Sequence, residues 1–361
     1  MEKISTVPFL PTKIIHTSHT IHLLSVYGEL VSYNISSSNE KSSLISNLAS
    51  NLSSLLRKND PLATPPFLTN ADWPEKSLSL SSVKERCLVF KHPRTKEFFF
   101  SKGFCSLLPT SSPQEFSLAC AGYWDNSFRI LAMNLSKQKS VQIFAHKHKD
   151  IITCIAFHKK CSLLLTASRD GSILVWKVRS SSGQSSLENE DKPVAFLYGN
   201  NGAIRCLEVN EHLNVAVACD GKTLTLYDLP KCRYLRSIAM QRSAHLIKLS
   251  NSGVIVTFSL DNKTIQTFSI NGNPLQRKNV MKIVVDMHIS SDSEYLFLAI
   301  DSTLIVLRLF DLKEMRSISV LDYNLDINQS HAFISAISFN DDKKLALLTL
   351  QDCSLICVCF N

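Results

Sequence analysis

His148, Ser168 and Asp170 put the three side chains of a hydrolytic triad into one short stretch of this chain. In a triad the imidazole takes the seryl proton while the carboxylate orients the ring, and the serine must sit on a strained turn beside an oxyanion site. The residues around Ser168, LLLTASRDGS, offer a strand and a turn but neither of those features. A fourth residue changes the chemistry. Trp176 follows on the next apolar run, and an indole N–H buried in a sheet needs an acceptor, which a hydroxyl and a histidine can relay to a carboxylate in a turn. His148, Ser168, Asp170 and Trp176 therefore read as a structural tetrad. No catalytic residue is assigned and no enzyme activity is expected, because a Walker loop and paired acid–base carboxylates are also missing. Cys353, Cys357 and Cys359 are close in sequence, but no C-x-x-C pair or ligand-spaced histidine completes a site, so neither metal nor cofactor is expected.

The elements that must carry these residues repeat. GYWDNSFRIL, residues 122–131, reads as a strand, a tight turn at Asp125-Asn126 and a second, alternating strand. The pattern recurs in ASRDGSILVWKV, ACDGKTLTLYDL, SLDNKTIQTFSI, AIDSTLIVLRLF and LQDCSLICVCF. The turn aspartates are Asp125, Asp170, Asp220, Asp261, Asp301 and Asp352, spaced by 45, 50, 41, 40 and 51 residues. A period of roughly 40–45 residues with four strands per unit is the signature of a WD-repeat blade. The fold class is all-β: residues 1–361 form a single seven-bladed WD-repeat β-propeller, whose first blade carries a helical and irregular insertion over 36–81. That insertion combines a leucine stripe, Leu44, Leu48, Leu52, Leu55 and Leu56, at helical spacing with a Pro-rich loop. Residues 179–192, RSSSGQSSLENEDK, read as a mobile surface loop. Residues 193–229, 232–270, 271–310 and 312–360 each fit one blade, with Tyr227, Phe268, Leu307 and Val358 near the place of the tryptophan. These blades are expected to hold by strand pairing and apolar packing alone. With only ten glycines, several turns must place Asn or Asp in left-handed conformations.

Composition limits the function classes. Hydrophobic residues make up 45% and charged residues 19%, which excludes a disordered chain. Lys and Arg number 39 against 31 Asp and Glu, a net +8 that could favour an acidic partner or anionic headgroups. The basic residues are scattered, with no run beyond Lys147-His148-Lys149 and Lys159-Lys160, so the charge reads as a solvated surface. Nucleic-acid binding would need clustered Arg and Lys interleaved with aromatics and is not expected. The eleven cysteines, among them Cys154, Cys206 and Cys219 in apolar strands, read as free thiols. The start MEKISTVPFLPTK lacks the apolar core of a signal peptide, and no apolar stretch is long enough to span a bilayer. A reducing, cytoplasmic setting is expected, with membrane association at most peripheral.

GYWDNSFR, then HKDIITCIAF and LLLTASRDGSILVW, FSINGNPL and the early SVYGELVSYNI together resemble the C-terminal propeller of BEACH-domain proteins, the neurobeachin and lysosomal-trafficking-regulator group. The resemblance implies a non-catalytic scaffold in vesicle trafficking, membrane-protein sorting or lysosome and autophagy pathways. It implies protein partners: a BEACH domain in cis or in trans, a protein kinase, or trafficking factors. The BEACH domain and PH-like domain that normally precede such a propeller are not in these residues, so the chain either stands alone or continues upstream. The alternative is an unrelated WD-repeat adaptor subunit of another complex. Residues beside the turn aspartates gather on one face of a propeller, and exposed Trp and Arg dominate interaction surfaces. Tyr123, Trp124, Lys149 and Arg169 are the candidate partner-binding patch.

Overall fold

Short apolar runs punctuated by polar turns fold here into antiparallel meanders. The computed structural model describes residues 2–6, 11–16, 20–25, 29–34, 87–88, 105–109, 115–123, 125–134, 139–144, 147–181, 184–189, 192–322, 332–340, 345–351 and 354–359. Among them the strands form seven antiparallel sheets, nearly all of four strands, and no helix is long and apolar enough to cross a membrane. This is the architecture of a WD-type β-propeller. The chain divides into two compact units, one of residues 1–25, 29–88 and 319–361, the other of 26–28 and 89–318. The helix and Pro-rich loop expected over 36–81 lie outside the described residues.

The larger unit holds five sheets in sequence order. The first runs Cys105–Leu108, Glu115–Cys120, Phe128–Asn134 and Lys139–Phe144. The Trp176 sheet runs Ile152–His158, Leu163–Ser168 and Ile173–Ser181, and both Gln184–Leu187 and Ala195–Leu197 pair with the last of these. The Tyr227 sheet runs Cys206–Asn210, Val215–Cys219, Thr223–Asp228 and Arg233–Ala239. The Phe268 sheet runs Leu246–Leu249, Val254–Ser259, Thr264–Ser269 and Pro274–Asn279, and the Leu307 sheet Val284–Ile289, Tyr295–Ile300, Thr303–Arg308 and Glu314–Ser319. First strands of consecutive sheets lie side by side, and each core cluster draws its residues from two adjacent sheets. A second strand is thus covered on both faces. That is why LLLTAS and VAVAC are buried throughout and read as continuous runs rather than as alternating ones. The fourth strands, RYLRSIA and PLQRKN, are exposed and carry the charge that keeps an edge from pairing with another chain.

In the smaller unit one sheet runs Pro11–His16, Thr20–Ser25, Glu29–Asn34 and Cys87–Leu88. The other runs Ile334–Asn340, Leu345–Leu350 and Ser354–Cys359, and its fourth strand is Glu2–Thr6 from the opposite end of the chain, with Glu2 opposite Cys357 and Thr6 opposite Ser354. The sequence reading missed this pairing, because five residues without a local partner carry no periodic signal.

Two expectations change. The repeat units are one strand out of phase with the sheets: Ala195–Leu197 belongs to the Trp176 sheet rather than to a 193–229 blade, and Arg233–Ala239, Pro274–Asn279 and Glu314–Ser319 likewise close the sheet before their own repeat. The polar segment 179–192 is not simply a loop, since 179–181 and 184–187 form a hairpin. Ser185 is buried there, its N–H donating to Ser117 Oγ at 3.2 Å and its hydroxyl to the Pro109 carbonyl, and Leu187 joins the core, so one hydroxyl and one apolar side chain anchor a mostly polar stretch. Positive φ at Asn126, Asn214 and Asp301 supplies left-handed corners, but Ser162, Cys232, Lys263, Met281, Ser293 and Leu312 adopt them too.

Candidate functional site

The described turn aspartates, Asp125, Asp170, Asp220, Asp261 and Asp301, each lie between the second and third strands of their sheet, while Asp352 lies outside the described residues. The best-developed network surrounds Trp176. Its indole N–H donates to Thr166 Oγ1 at 3.0 Å, and Thr166 Oγ1 is 2.8 Å from His148 Nε2. His148 Nδ1 is 2.8 Å from Ser172 Oγ, whose side chain bonds the Asp170 carboxylate. With the indole filling one Thr166 lone pair, the threonine proton points at Nε2, and the imidazole carries its own proton on Nδ1. Asp170 also accepts the Lys149 N–H at 2.7 Å and the Ser172 N–H at 2.8 Å, which ties the loop before the first strand to the turn after the second. Burial pushes the His148 pKa down to about 4, against the pull of Asp170. Burial acts to raise the Asp170 pKa, but the hydroxyl and N–H of Ser172, the Lys149 N–H and His148 together bring it below the usual value.

Thr166 thus holds the place expected of Ser168. The Ser168 hydroxyl instead lies 3.0 and 3.1 Å from the Asp150 and Ile151 carbonyls and accepts the Asp170 N–H. A triad needs the imidazole between serine and carboxylate, whereas here Ser172 stands between His148 and Asp170 and no serine contacts Nε2. The arrangement satisfies buried polar groups and positions backbone.

The Tyr227 sheet contains a variant of the same network, which corrects the expectation of apolar packing alone. Asn200 stands six residues before Cys206, as His148 does before Cys154, and its Nδ2 donates to Tyr227 Oη at 2.8 Å. Asn201 N–H donates to Asp220 Oδ2 at 3.0 Å, as Lys149 does to Asp170. That equal spacing is the signal that would have located Asn200. Phe268 and Leu307 are plain core residues.

The candidate patch is only partly a surface. Lys149 and Arg169 are exposed beside one another in the network, Arg169 pairing with Asp150 at 3.8 Å. Trp124 lies outside the described residues. Tyr123 is buried, with the Arg129 guanidinium 3.9 Å from its ring centre, and its carbonyl accepts the Asn126 N–H of the turn, so it belongs to the fold. Cys357 and Cys359 lie on the strand Ser354–Cys359 and Cys353 outside the described residues.

A second surface was missed by the sequence reading. On Ala195–Leu197 the odd residue Leu197 is buried while Phe196 and the following Tyr198 are 50% and 74% exposed, their rings stacked at 6.3 Å. Exposed Tyr234, on the outer strand of the next sheet, crosses the backbone of Gly199, where an added Cβ would sit 2.9 Å from its ring. Three neighbouring aromatic rings therefore face solvent along two outer strands.

A family model described as the neurobeachin beta propeller domain matches residues 91–330. BEACH domain-containing protein B of Arabidopsis thaliana is 27% identical over 244 residues, which cover 62% of this chain and 9% of that protein. BEACH domain-containing protein lvsE of Dictyostelium discoideum is 24% identical over 251 residues, 68% of this chain and 11% of that protein. Mitochondrial division protein 1 of Neosartorya fischeri is 25% identical over 153 residues, 42% of this chain and 21% of that protein. The chain thus spans a small fraction of the BEACH relatives it matches. Repeating four-stranded sheets, the Asp-cornered turns and a match over most of the chain agree: this chain belongs to the neurobeachin β-propeller family, the protein-interaction propeller of BEACH-domain proteins.

Proposed function

We propose that the chain is a docking platform in vesicle trafficking, membrane-protein sorting or lysosome and autophagy pathways, working in the cytoplasm and peripherally on endomembranes. The observation that carries the docking role is the aromatic edge of Phe196, Tyr198 and Tyr234. Large rings left in water beside a strand whose outer edge pairs with no strand among the described residues match what an extended partner segment uses: main-chain bonding to Ala195–Leu197 and ring pockets for its side chains. Family membership supports the trafficking reading, and a BEACH domain is the partner to test first. The paired replacements Phe196→Ala with Tyr198→Ala, and Lys149→Ala with Arg169→Ala, separate the two surfaces in a binding assay against a purified BEACH domain. Loss of binding in the first pair at an unchanged melting temperature supports the aromatic edge. Binding unaffected by the first pair removes it.

A further inference from the structure

The middle of the Phe268 sheet carries a run of polar side chains on one face. Thr257, Gln266 and Arg277 face one another across three strands, and Ser259 and Thr264 form the next row on the same face. Further along that face Ile255 and Phe268 pack normally against the Tyr227 sheet. The connection Met240–Ala244 lies over the polar end and leaves a shallow cleft there, open to solvent. Arg242 and Arg277 both line it. Thr257 and Thr264 hydroxyls bond the Gln266 and Asn262 carbonyls, but Ser259 Oγ is buried without a hydrogen-bond partner. Arg277 makes no ion pair among the described residues, and Arg242 touches only Asn262 Oδ1, at 3.4 Å. A buried hydroxyl with nothing to bond, in a cleft also lined by two exposed arginines without ion pairs among the described residues, is an incomplete site for an oxyanion.

The surroundings say which oxyanion. Residues 231–282 hold nine Lys and Arg against one acid, Asp261; Arg233, Lys248 and Lys282 pair with Asp228, Glu208 and Asp301 outside that stretch. The turn Leu260–Lys263 and the connection Val280–Ile283 are joined by the Val280 N–H to the Lys263 carbonyl at 2.9 Å, and Arg242 reaches the same turn. Out of them stand Leu260, Met281 and Ile283, all exposed, Met281 at 78%. Apolar tips on turns that also carry Arg242 and Lys263 suit a bilayer surface better than a free anion or a polar peptide. We propose that this cleft binds the phosphate monoester of a phosphorylated lipid headgroup, with Leu260, Met281 and Ile283 resting in the interface of the bilayer. Arg242 and Arg277 would take the phosphate oxygens and Ser259 the remaining one. The site is separate from the aromatic edge and stands independently of the protein-docking reading.

The test is co-sedimentation of the full chain with phosphatidylcholine vesicles containing a phosphatidylinositol monophosphate, against vesicles of equal charge containing phosphatidylserine. Preferential binding to the first is expected, weakened about tenfold or more by Arg242→Ala with Arg277→Ala, and also by Met281→Asp. Ser259→Ala should weaken binding while leaving thermal stability unchanged or higher, because it removes an unsatisfied group. Equal binding to both vesicles would reduce the feature to diffuse charge and overturn the proposal. So would binding of inositol phosphate or a phosphopeptide in solution without vesicle binding, or a Ser259→Ala chain that melts early.

Discussion

Thr166 shows how a single hydroxyl serves two buried partners, taking the Trp176 N–H and giving its own proton to His148. Thr166→Val keeps the shape and strands both, so it should cost about 2–4 kcal/mol, whereas Trp176→Phe, which removes the donor as well, should cost less than Trp176→Ala; denaturant midpoints decide. The same residues set a pH response. His148 takes a proton near 6.5 when unfolded but only at about 4 when folded. Between those values the unfolded chain binds a proton that the folded chain refuses, so stability falls as pH drops through that window, by on the order of 3 kcal/mol in all. Burial lowers His158 and His245 in the same direction. His148→Asn, the side chain found at Asn200, should flatten the stability–pH curve across that interval without abolishing it. By contrast Lys149→Ala and Arg169→Ala should shift stability by under about 0.5 kcal/mol, as expected for exposed charges. The sequence made the tetrad visible through Trp176 and its flanking turn, yet it could not choose between Thr166 and Ser168. Both lie on one side of the strand, and the choice depends on how far the indole leans past Leu164, its partner in register. Tyr123 departs from expectation for a similar reason: proximity to a turn suggested exposure, whereas the side chain is buried with the Arg129 guanidinium over its ring.

The five- to seven-residue strands were largely legible, because a second strand enclosed by two sheets must be apolar on both faces and an Asp corner must follow it. Phase was not. Nothing within Arg233–Ala239 says whether it completes the sheet behind or begins the one ahead, since an exposed outer strand carries little apolar pattern. Glu2–Thr6 is the sharpest case, a strand whose partner is separated from it by most of the chain. Removing residues 2–6 should leave the outer edge of Ser354–Cys359 unpaired, and amide hydrogen exchange there should rise by at least about tenfold while the Tyr227 sheet keeps its protection.

Across the larger unit, stability comes from faces of consecutive sheets rather than from any sheet alone, each being too small to bury its own apolar side. Phe128 illustrates this: it is fully buried, stacked on Phe144 at 4.8 Å and tilted against Trp176 of the next sheet at 5.3 Å. Phe128→Ala should cost about 3–5 kcal/mol and loosen both sheets together, seen as a lower melting temperature with loss of Trp176 fluorescence anisotropy. The one-strand offset between repeat and sheet has a practical corollary. Because Arg233–Ala239 completes a sheet built from residues 206–228 and Glu2–Thr6 completes the sheet of Ser354–Cys359, nicking the backbone at Lys231 would leave two polypeptides that each own a piece of the other's β-structure. Co-expressed halves split at that corner should therefore re-associate spontaneously, making the tight turn a natural place for a fragment-complementation reporter.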